Sequence, residues 1–455
     1  MMSRTRIGQI SFAAVSICML LLACSSDDNP VQPPSTIVRV PGDHATIQAA
    51  IDAIDSATTG WTVLVADGEY TGEGNRDISF KGKQITVRSV NGAGSTIINC
   101  EADSANPHRA FIFDGGEDST FRLEGFTIKN GYADLGGAIY CAAAPLIQSC
   151  VFSDNMASQT GGAIYMIGSW ADVESCSFVA NQADIRFSSS AGGAVYCASS
   201  IVAFKNCEFN GNSATQGGAL VSVMATVTLD NCDFADNSAS SIGGAITGSD
   251  FDLDMSDCNF AGNTASKGGG ALFYGCRVTA SSTGFVNNSA SINGGAISSD
   301  RDQVLDISFC HFDGNNSPRG GAIDLTGTDP SISKSTFTGN EATHGSALFC
   351  LSSSKPTLEY CIIAFGNGIP VVANDLTRPE VVCCDVYGNI GGDYAGSLIG
   401  QETLNGNFSL DPLFCDPDEH NFRLEFESPC TEANSGCGIH VGAFDAGCVQ
   451  IADDE

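Results

Sequence analysis

Residues 217–242 read GGALVSVMATVTLDNCDFADNSASSI, and the next residue, Gly243, begins the same pattern again. The motif Gly-Gly-Ala plus an aliphatic residue occurs eight times, and a degenerate ninth copy begins at Gly345. The eight copies begin at Gly136, Gly161, Gly192, Gly217, Gly243, Gly269, Gly294 and Gly320. Successive copies are 25 or 26 residues apart, except for one interval of 31 residues. A fixed period of this length indicates a solenoid in which each repeat stacks on its neighbours.

Each repeat divides into three short strands. The first contains the aliphatic residue of the motif, here Leu220, which we expect to point inward. The second alternates, with Val227 and Leu229 inward, and the third contains Cys232 and Phe234. The parity of the apolar positions changes between the second and third strands, which marks a corner because side chains alternate along a strand. We therefore predict an all-β fold, a single-stranded, right-handed parallel β-helix of about 12 triangular coils.

Stacked coils place equivalent residues in columns. The pattern Phe-x-x-Asn recurs eight times between the glycine motifs, so we predict a phenylalanine stack in the core and an asparagine amide ladder at a turn. The phenylalanine column includes Phe152, Phe178, Phe209, Phe234 and Phe260, and the asparagine column includes Asn155, Asn181, Asn212, Asn237 and Asn263.

The chain contains 20 cysteines, and many of them form another inward column two residues before the phenylalanines. Thr283 and Ser335 replace cysteine in two coils, which favours a requirement for size and hence buried thiols. Bridges within a coil, such as Cys141 to Cys150, remain an alternative. Cysteines outside the column follow at 383, 384, 415, 430, 437 and 448, and we expect disulfides among Cys415, Cys430, Cys437 and Cys448.

The N-terminal residues have the pattern of a bacterial export signal. Arg4 and Arg6 precede an apolar run that ends in Leu-Leu-Ala-Cys at Cys24. This ending resembles a bacterial lipobox, which implies a signal peptide over 1–23 and a lipid on Cys24. Residues 24–36 are polar and rich in proline, as expected of a flexible tether. We therefore expect a lipid-anchored protein of the bacterial outer membrane or cell surface.

The remaining chain divides into three regions. Residues 37–124 contain a segment with helical spacing, 46–54, that we expect to cap the first coils. Residues 125–366 carry the repeat, and residues 367–455 contain the last coils and a closing cap, in which the stretch 411–448 covers the end of the core.

The formal net charge of −32 limits the partners of this protein. A surface this acidic repels nucleic acid, which we exclude as a partner, and favours solubility or the retention of divalent cations. The six histidines have no metal-ligand spacing, so the sequence predicts no metal site, although Ca²⁺ remains an alternative cofactor.

Two groups of residues are candidates for binding or chemistry. Asp250, Asp252 and Asp254 alternate on one strand face, and Arg301 lies two coils away, as a weak candidate for a catalytic or Ca²⁺ site. The residues that follow the inward aliphatic position include Tyr140, Tyr165, Tyr196 and Phe273, which we expect to face outward. Their rings form either a flat platform for sugars or a protein partner, or an ordinary cross-strand stack that stabilises the sheet.

The alternating Gly-Gly-Ala-aliphatic and Phe-x-x-Asn motifs resemble the repeats of the chlamydial polymorphic outer membrane proteins over residues 125–366. The segment 46–54 and the strands after it resemble the N-terminal cap of pectate-lyase-like β-helix proteins. The first resemblance implies a surface-exposed β-helix that is often adhesive. Those proteins end in a membrane barrel, which we do not find in this sequence, so we expect the lipid on Cys24 to serve as the anchor.

These observations favour an adhesive, binding or structural role at the cell envelope, without enzymatic activity. The alternative is a polysaccharide lyase or glycoside hydrolase acting on extracellular glycans. A groove in which the aspartates meet Arg277 or Arg301 within hydrogen-bonding distance would favour the enzyme.

Overall fold

The computed structural model describes residues 36–55, 60–184, 186, 189–374 and 378–448. The predicted signal peptide, the predicted lipid attachment residue Cys24 and the tether up to residue 35 lie outside the described residues. Within the described ranges, no helix is both long enough and apolar enough to cross a membrane.

Four parallel sheets run along the molecule, and we name them by their position in each coil. Sheet A comprises Ile37–Val40, Trp61–Val65, Ile85–Ser89, Arg122–Glu124, Leu146–Gln148, Trp170–Glu174, Ile201–Lys205, Thr226–Asp230, Asp252–Ser256, Arg277–Ser281, Val304–Ser308, Ser331–Ser333, Thr357–Glu359 and Glu380–Val382. Sheet B comprises Gly68–Tyr70, Thr96–Asn99, Thr127–Lys129, Val151–Ser153, Ser177–Val179, Glu208–Asn210, Asp233–Ala235, Asn259–Ala261, Gly284–Val286, His311–Asp313, Thr336–Thr338, Ile362–Ala364 and Asp385–Tyr387.

Sheet C comprises Ile78–Ser79, Phe111–Phe113, Ile139–Cys141, Ile164–Ile167, Val195–Ala198, Leu220–Val223, Ile246–Ser249, Ala271–Tyr274, Ile297–Asp300, Ile323–Thr326, Leu348–Leu351 and Val371–Ala373. Sheet D comprises Tyr132–Leu135, Met156–Thr160, Gln182–Ala183, Ser213–Gln216, Ser238–Ile242, Thr264–Lys267 and Ser289–Asn293. Further along the chain, Phe414–Asp416 and Asn421–Leu424 form an antiparallel pair, and Gly396–Leu398 and Pro417–Glu419 are 3₁₀ turns.

The chain passes through the sheets in a fixed order, from sheet C to A to B to D, and then enters sheet C one coil further on. Each strand pairs in parallel with its equivalent in the next coil, so the same face of each strand points inward throughout. Parallel strands of one sheet joined by crossover connections are right-handed in nearly all proteins. The predicted β-helix is confirmed, and the three longest sheets give about thirteen turns.

Sheet D is a feature that the sequence did not predict. Its strands fill the segment between the asparagine column and the glycine motif, where we expected only a corner. They are short, rich in serine and alanine, and interrupted by register shifts such as the one between Ala214 and Gln216. These irregularities hide the two-residue periodicity by which strands are recognised.

The asparagine side chains form a continuous ladder from Asn155 to Asn340 at the turn between sheets B and D. Each amide Nδ2 donates to the Oδ1 of the next asparagine at 2.9–3.0 Å. The same nitrogen donates to a backbone carbonyl of the preceding coil, as Asn237 does to Phe209 at 2.9 Å. All of these side chains are buried, so the ladder satisfies polar groups that water does not reach.

The phenylalanine column packs directly inside the ladder. From Phe152 to Phe337, successive ring centroids lie 4.6–4.9 Å apart with interplanar angles of 2–10°. This spacing equals the distance between paired strands, so the backbone repeat itself sets the ring stack.

The cysteine column consists of buried thiols. The bridges within a coil that the sequence left open do not form, because both members of each pair keep their thiols and are buried. Cys384, which we placed outside the column, extends it: its sulfur accepts the backbone N–H of Cys361 at 3.4 Å. Burial raises the pKa of the Cys310 thiol to about 12, which suppresses its reactivity.

Two disulfides join the C-terminal region, and they differ from the expected set. Cys415 pairs with Cys448, whereas Cys437 pairs with Cys383, a residue outside the expected set. Cys430 was an expected partner but is a buried free thiol, 3.3 Å from Oδ2 of Asp385. Pairing depends on which Cα atoms approach within about 7 Å, and tertiary packing alone decides this.

The predicted helix caps the first coil. It spans Ile47–Ala53, and the hydroxyl of Thr46 accepts the N–H of Ala49 at 3.3 Å at its beginning. Ile47, Ala50 and Ile51 are buried against the main core and cover its open end.

The opposite end is closed differently from our prediction. Leu398 and Tyr394 pack against the end of the main core. The stretch 411–448 instead packs on the outer face of sheet B, where Phe414, Phe422 and Leu424 form a second apolar cluster. Outward apolar residues at the end of sheet B, Ile362 and Ala364, provide the surface that this segment covers.

Candidate functional site

The three aspartates that the sequence singled out lie on one strand of sheet A, Asp252–Ser256, and on the turn that precedes it. Asp252 and Asp254 are exposed on the outer face, and Asp250 lies on the preceding turn with a φ of 52°. Oδ1 of Asp252 lies 3.9 Å from Nε of Arg277, which occupies the same register position in the next coil. Asp254 accepts a hydrogen bond from the hydroxyl of Thr279. The Arg277 contact is an exposed ion pair beyond hydrogen-bonding distance.

Arg301 does not join these aspartates. It has the same turn position as Asp250 but lies two coils further on, about 10 Å away at the usual strand spacing. Its Nε lies 3.6 Å from Oδ1 of Asp300, and its Nη1 donates to the hydroxyl of Tyr274 at 3.2 Å. Arg301 therefore contacts the outer face of sheet C.

Asp302, the residue after Arg301, stabilises the turn through hydrogen bonds. Its carboxylate accepts the backbone N–H of Cys276 at 2.7 Å and the hydroxyl of Ser299 at 2.5 Å. Burial raises the pKa of Asp302 to about 6. Because its oxygens are directed at these internal donors, we assign Asp302 to the structure of the turn.

An open groove of about 410 Å³ lies where the turn after sheet C meets the edge of sheet A. Its lining consists of Trp170, Ser199, Ser200, Ile201, Met224, Ala225, Thr226, Asp250 and Asp252, and we call it the sheet A groove. One wall is apolar yet exposed, with relative exposures of 68% for Trp170, 52% for Ile201 and 63% for Met224. The other end of the groove carries the carboxylates of Asp250 and Asp252.

The strand register explains this arrangement. Trp170, Ile201, Thr226 and Asp252 are partners in successive strands of sheet A, so they form a single file along the helix axis. The coil before Trp170 has only Ala144 at this level, so little side chain covers the indole on that side. A rigid parallel sheet thus fixes an indole and a carboxylate three coils apart, about 14 Å at the usual strand spacing.

The surface around the groove is strongly acidic. Six strands of sheet A, from Trp170–Glu174 to Val304–Ser308, contribute six carboxylates and two basic side chains to the outer face. The carboxylates are those of Asp172, Glu174, Asp230, Asp252, Asp254 and Asp306, and the basic residues are Lys205 and Arg277. A surface with an excess of one charge raises the local concentration of the opposite charge.

The tyrosine column has the geometry of the second of the two predicted alternatives, the cross-strand stack. Tyr140, Tyr165 and Tyr196 stack face to face, with centroids 5.7 and 5.6 Å apart and interplanar angles of 26° and 8°. The guanidinium of Arg109 covers the far face of Tyr140, 5.5 Å from its centroid. The rings therefore present their edges to solvent, and the geometry is that of a stack that stabilises sheet C.

The predicted outward position of Phe273 is wrong. Phe273 is fully buried, and it pairs in register with Gly248 and Ser299, both inward positions. Three consecutive glycines, Gly268 to Gly270, make the motif ambiguous, and we aligned it one residue too late. The turn glycine with a φ of 63° is Gly268, so Ala271 and Phe273 face inward.

Sequence reasoning missed the apolar wall of the sheet A groove. Trp170 is one of two tryptophans in the chain, and it stands at the first, outward position of its strand, which was a signal available in the sequence. Met224 lies in a turn with a φ of 49°, and no periodicity marks such a residue. Among the described residues, no group of three or more His, Cys, Asp or Glu side chains is arranged to hold a metal ion.

Comparison with known proteins identifies the fold. Residues 85–260 and 243–408 match the family model described as a right-handed β-helix region. No curated protein gives a significant match to this sequence.

Several solved structures are similar to this chain. The catalytic unit of the thermostable GH87 α-1,3-glucanase from Streptomyces thermodiastaticus strain HF3-3 has 13% identity and a TM-score of 0.40, covering 80% of this chain and 65% of its own. The A-module of the Azotobacter vinelandii mannuronan C-5 epimerase AlgE6 has 13% identity and a TM-score of 0.43, and the match covers 80% of this chain and 94% of the module. A mannuronic acid-specific polysaccharide family 6 lyase from human gut microbiota has 11% identity and a TM-score of 0.35, and the match covers 79% of this chain and 87% of the lyase. These likenesses concern the fold alone.

Proposed function

We propose that this chain, which belongs to the right-handed β-helix family, binds an extended polysaccharide along the sheet A groove. The observation that carries the proposal is the 68% exposure of Trp170 on a rigid strand. A large exposed aromatic side chain beside exposed aliphatic ones is the kind of surface that binding covers. The indole offers an apolar face and a hydrogen-bonding N–H, which suits a sugar ring with one C–H face and a polar rim.

The direction of the groove supports an elongated ligand. The file from Trp170 through Ile201 and Thr226 to Asp252 follows the helix axis, and it repeats about every 4.8 Å. This repeat is close to the length of one sugar unit in an extended chain. Neighbouring sugars can therefore contact equivalent positions of successive coils without bending the polymer.

The test uses intrinsic fluorescence, because the chain contains two tryptophans. In a Trp61→Phe variant the emission reports Trp170 alone, and we expect a spectral change when a bound polysaccharide covers the indole. Trp170→Ala, whose affinity is measured by isothermal titration calorimetry because this variant lacks the reporting indole, should weaken binding at least tenfold. Phe426→Ala is the matched control, because Phe426 is 74% exposed and lies in the C-terminal region. Binding that is unaffected by Trp170→Ala, or no binding across a panel of polysaccharides, would contradict the proposal.

Cleavage of the bound polysaccharide is a second candidate function. The ion pair between Asp252 and Arg277 places a carboxylate and a guanidinium at the end of the groove. A lyase would yield new reducing ends together with an unsaturated product that absorbs in the ultraviolet, whereas a hydrolase would yield new reducing ends without this absorbance. Incubation with and without Ca²⁺ measures both products, and Asp252→Asn should abolish them. Binding without either product favours an adhesive or structural role.

We also propose that the lipid on Cys24 anchors the protein to a bacterial outer membrane or cell surface. The lipobox-like ending at Cys24 supports this location, and so do two disulfides, which form in oxidising compartments outside the cytoplasm. At the surface, the groove would contact extracellular glycans or surface proteins. Labelling with a radioactive fatty acid should mark the wild type and leave Cys24→Ser unlabelled. Equal labelling of the two proteins would exclude this anchor.

A further inference from the structure

The charge of the sheet A groove restricts which polysaccharide fits it. We propose that the groove prefers a cationic polysaccharide whose sugar units carry free amino groups; this inference rests on the proposed function. The apolar wall of Trp170 and Ile201 accounts for contact with any sugar face. The carboxylates beyond it decide what the sugar substituents must be.

The two carboxylates that line the groove are placed to meet substituents of a chain lying on Trp170. Asp252 continues the file of Trp170, Ile201 and Thr226, and Asp250 projects from the turn beside it. Asp252 shares its charge with Arg277 at 3.9 Å. Asp250 takes part in none of the ion pairs found in the described ranges, so its charge is offset least.

The neighbouring strands extend the same charge pattern. Along the next outward file, Asp172, Asp254 and Asp306 alternate with small or hydroxyl side chains. Only Lys205 and Arg277 oppose the six carboxylates of this face. A polyuronate chain would set carboxylate against carboxylate along several coils, whereas an amino-sugar chain would meet the opposite charge in four of these six coils.

Exposure of these groups makes the attraction depend on salt. The side chains of Asp252 and Arg277 are 59% and 56% exposed, so solvent ions screen them. We expect the affinity for an amino-sugar chain to fall as ionic strength rises. The affinity for a neutral chain of equal length should change little, because stacking on Trp170 carries no net charge.

The experiment compares three soluble probes of equal length: a glucosamine oligosaccharide, its fully N-acetylated counterpart and a uronic acid oligosaccharide. Affinities are measured by isothermal titration calorimetry at low and high salt, which needs no tryptophan and so applies to the Trp170→Ala variant as well. We expect the glucosamine probe to bind at least tenfold more tightly than the N-acetylated one, and the uronate to bind most weakly. The double variant Asp250→Asn/Asp252→Asn should reduce glucosamine binding to the level of the N-acetylated probe.

A matched control distinguishes the effect of the groove carboxylates from that of the protein's net charge. Asp233→Asn/Asp236→Asn removes the same charge from exposed positions in and beside a strand of sheet B, and it should leave all three affinities unchanged. Equal binding of the glucosamine and N-acetylated probes, still sensitive to Trp170→Ala, would overturn the charge preference and keep the proposed function. Binding insensitive to Trp170→Ala would overturn the proposed function itself. A loss of affinity in the control pair equal to that in the groove pair would also overturn the charge preference.

Discussion

Replacing Asn237 by alanine tests how much the asparagine ladder contributes to the fold. Asn237 is fully buried, and its side chain makes four hydrogen bonds. Its Oδ1 accepts both the backbone N–H and the Nδ2 of Asn212 at 3.0 Å, and its Nδ2 donates to the carbonyl of Phe209 at 2.9 Å and to Oδ1 of Asn263 at 3.0 Å.

The magnitude follows from the groups that the substitution leaves without a partner. Two N–H donors of Asn212 would stay buried and unpaired, whereas the carbonyl of Phe209 keeps the backbone N–H of Ala235 in the sheet B ladder. Oδ1 of Asn263 keeps the backbone N–H of residue 237 at 3.0 Å. At about 1–3 kcal/mol for each of these two unpaired buried groups, Asn237→Ala should cost about 2–6 kcal/mol.

The assay is guanidinium unfolding followed by far-ultraviolet circular dichroism, with midpoints compared at equal slope. The matched control is Asn210→Ala in the preceding coil, where the side chain is exposed, and we expect a change within about 0.5 kcal/mol. A cost below about 1 kcal/mol for Asn237→Ala would refute the reasoning, because the buried partners would then have found other hydrogen bonds. Equal costs for the two variants would likewise contradict a special role of the ladder.

Three further predictions test the register, the pH dependence and the C-terminal region. Phe273→Ser should destabilise the protein by about 3–5 kcal/mol and Leu272→Ser by much less, because Phe273 is buried and Leu272 faces outward. Guanidinium unfolding measures both, and a larger loss for Leu272→Ser would contradict the register. Burial raises the pKa of Asp385 from 3.8 to about 7, so the folded state holds a proton that the unfolded state has lost. The contribution of Asp385 to stability should therefore be complete below about pH 4 and be lost as the pH rises through 7. Asp385→Asn should remove this part of the pH dependence of the unfolding free energy, and an unchanged profile would exclude Asp385 as its source. Cys415→Ser opens a disulfide that closes a loop of 33 residues, and calorimetry should show that the free energy of unfolding falls by about 3–4 kcal/mol. An unchanged transition would mean that packing alone holds this segment in place.

The repeat in the sequence was sufficient to predict the β-helix, because stacking obeys simple rules. A coil of 25 or 26 residues that repeats many times must place equivalent side chains above one another. Phenylalanine over phenylalanine and asparagine over asparagine then follow from the strand spacing without knowledge of any distant contact. The helix before the first coil was equally accessible, because its apolar spacing and its capping threonine are local signals.

Other features depend on contacts between residues far apart in sequence, and the repeat does not specify those contacts. Three glycines in succession allow two alignments, and the packing of Phe273 into the core selects one of them. Cys383 meets Cys437 only because the C-terminal segment folds back along the molecule instead of covering its end.

The candidate site likewise combines features that the sequence determined with features that only the tertiary structure decided. The sequence determined that Asp252 and Asp254 share one strand face, because alternation on a strand is a local property, but its placement of Asp250 on the same strand was wrong, since Asp250 lies in the preceding turn. It did not determine that Trp170 and Met224 line one groove with Asp250, or that Arg301 contacts sheet C. Those relations depend on the rise per coil and on the direction in which each turn projects its side chain. The backbone fixes both only when the whole stack has formed.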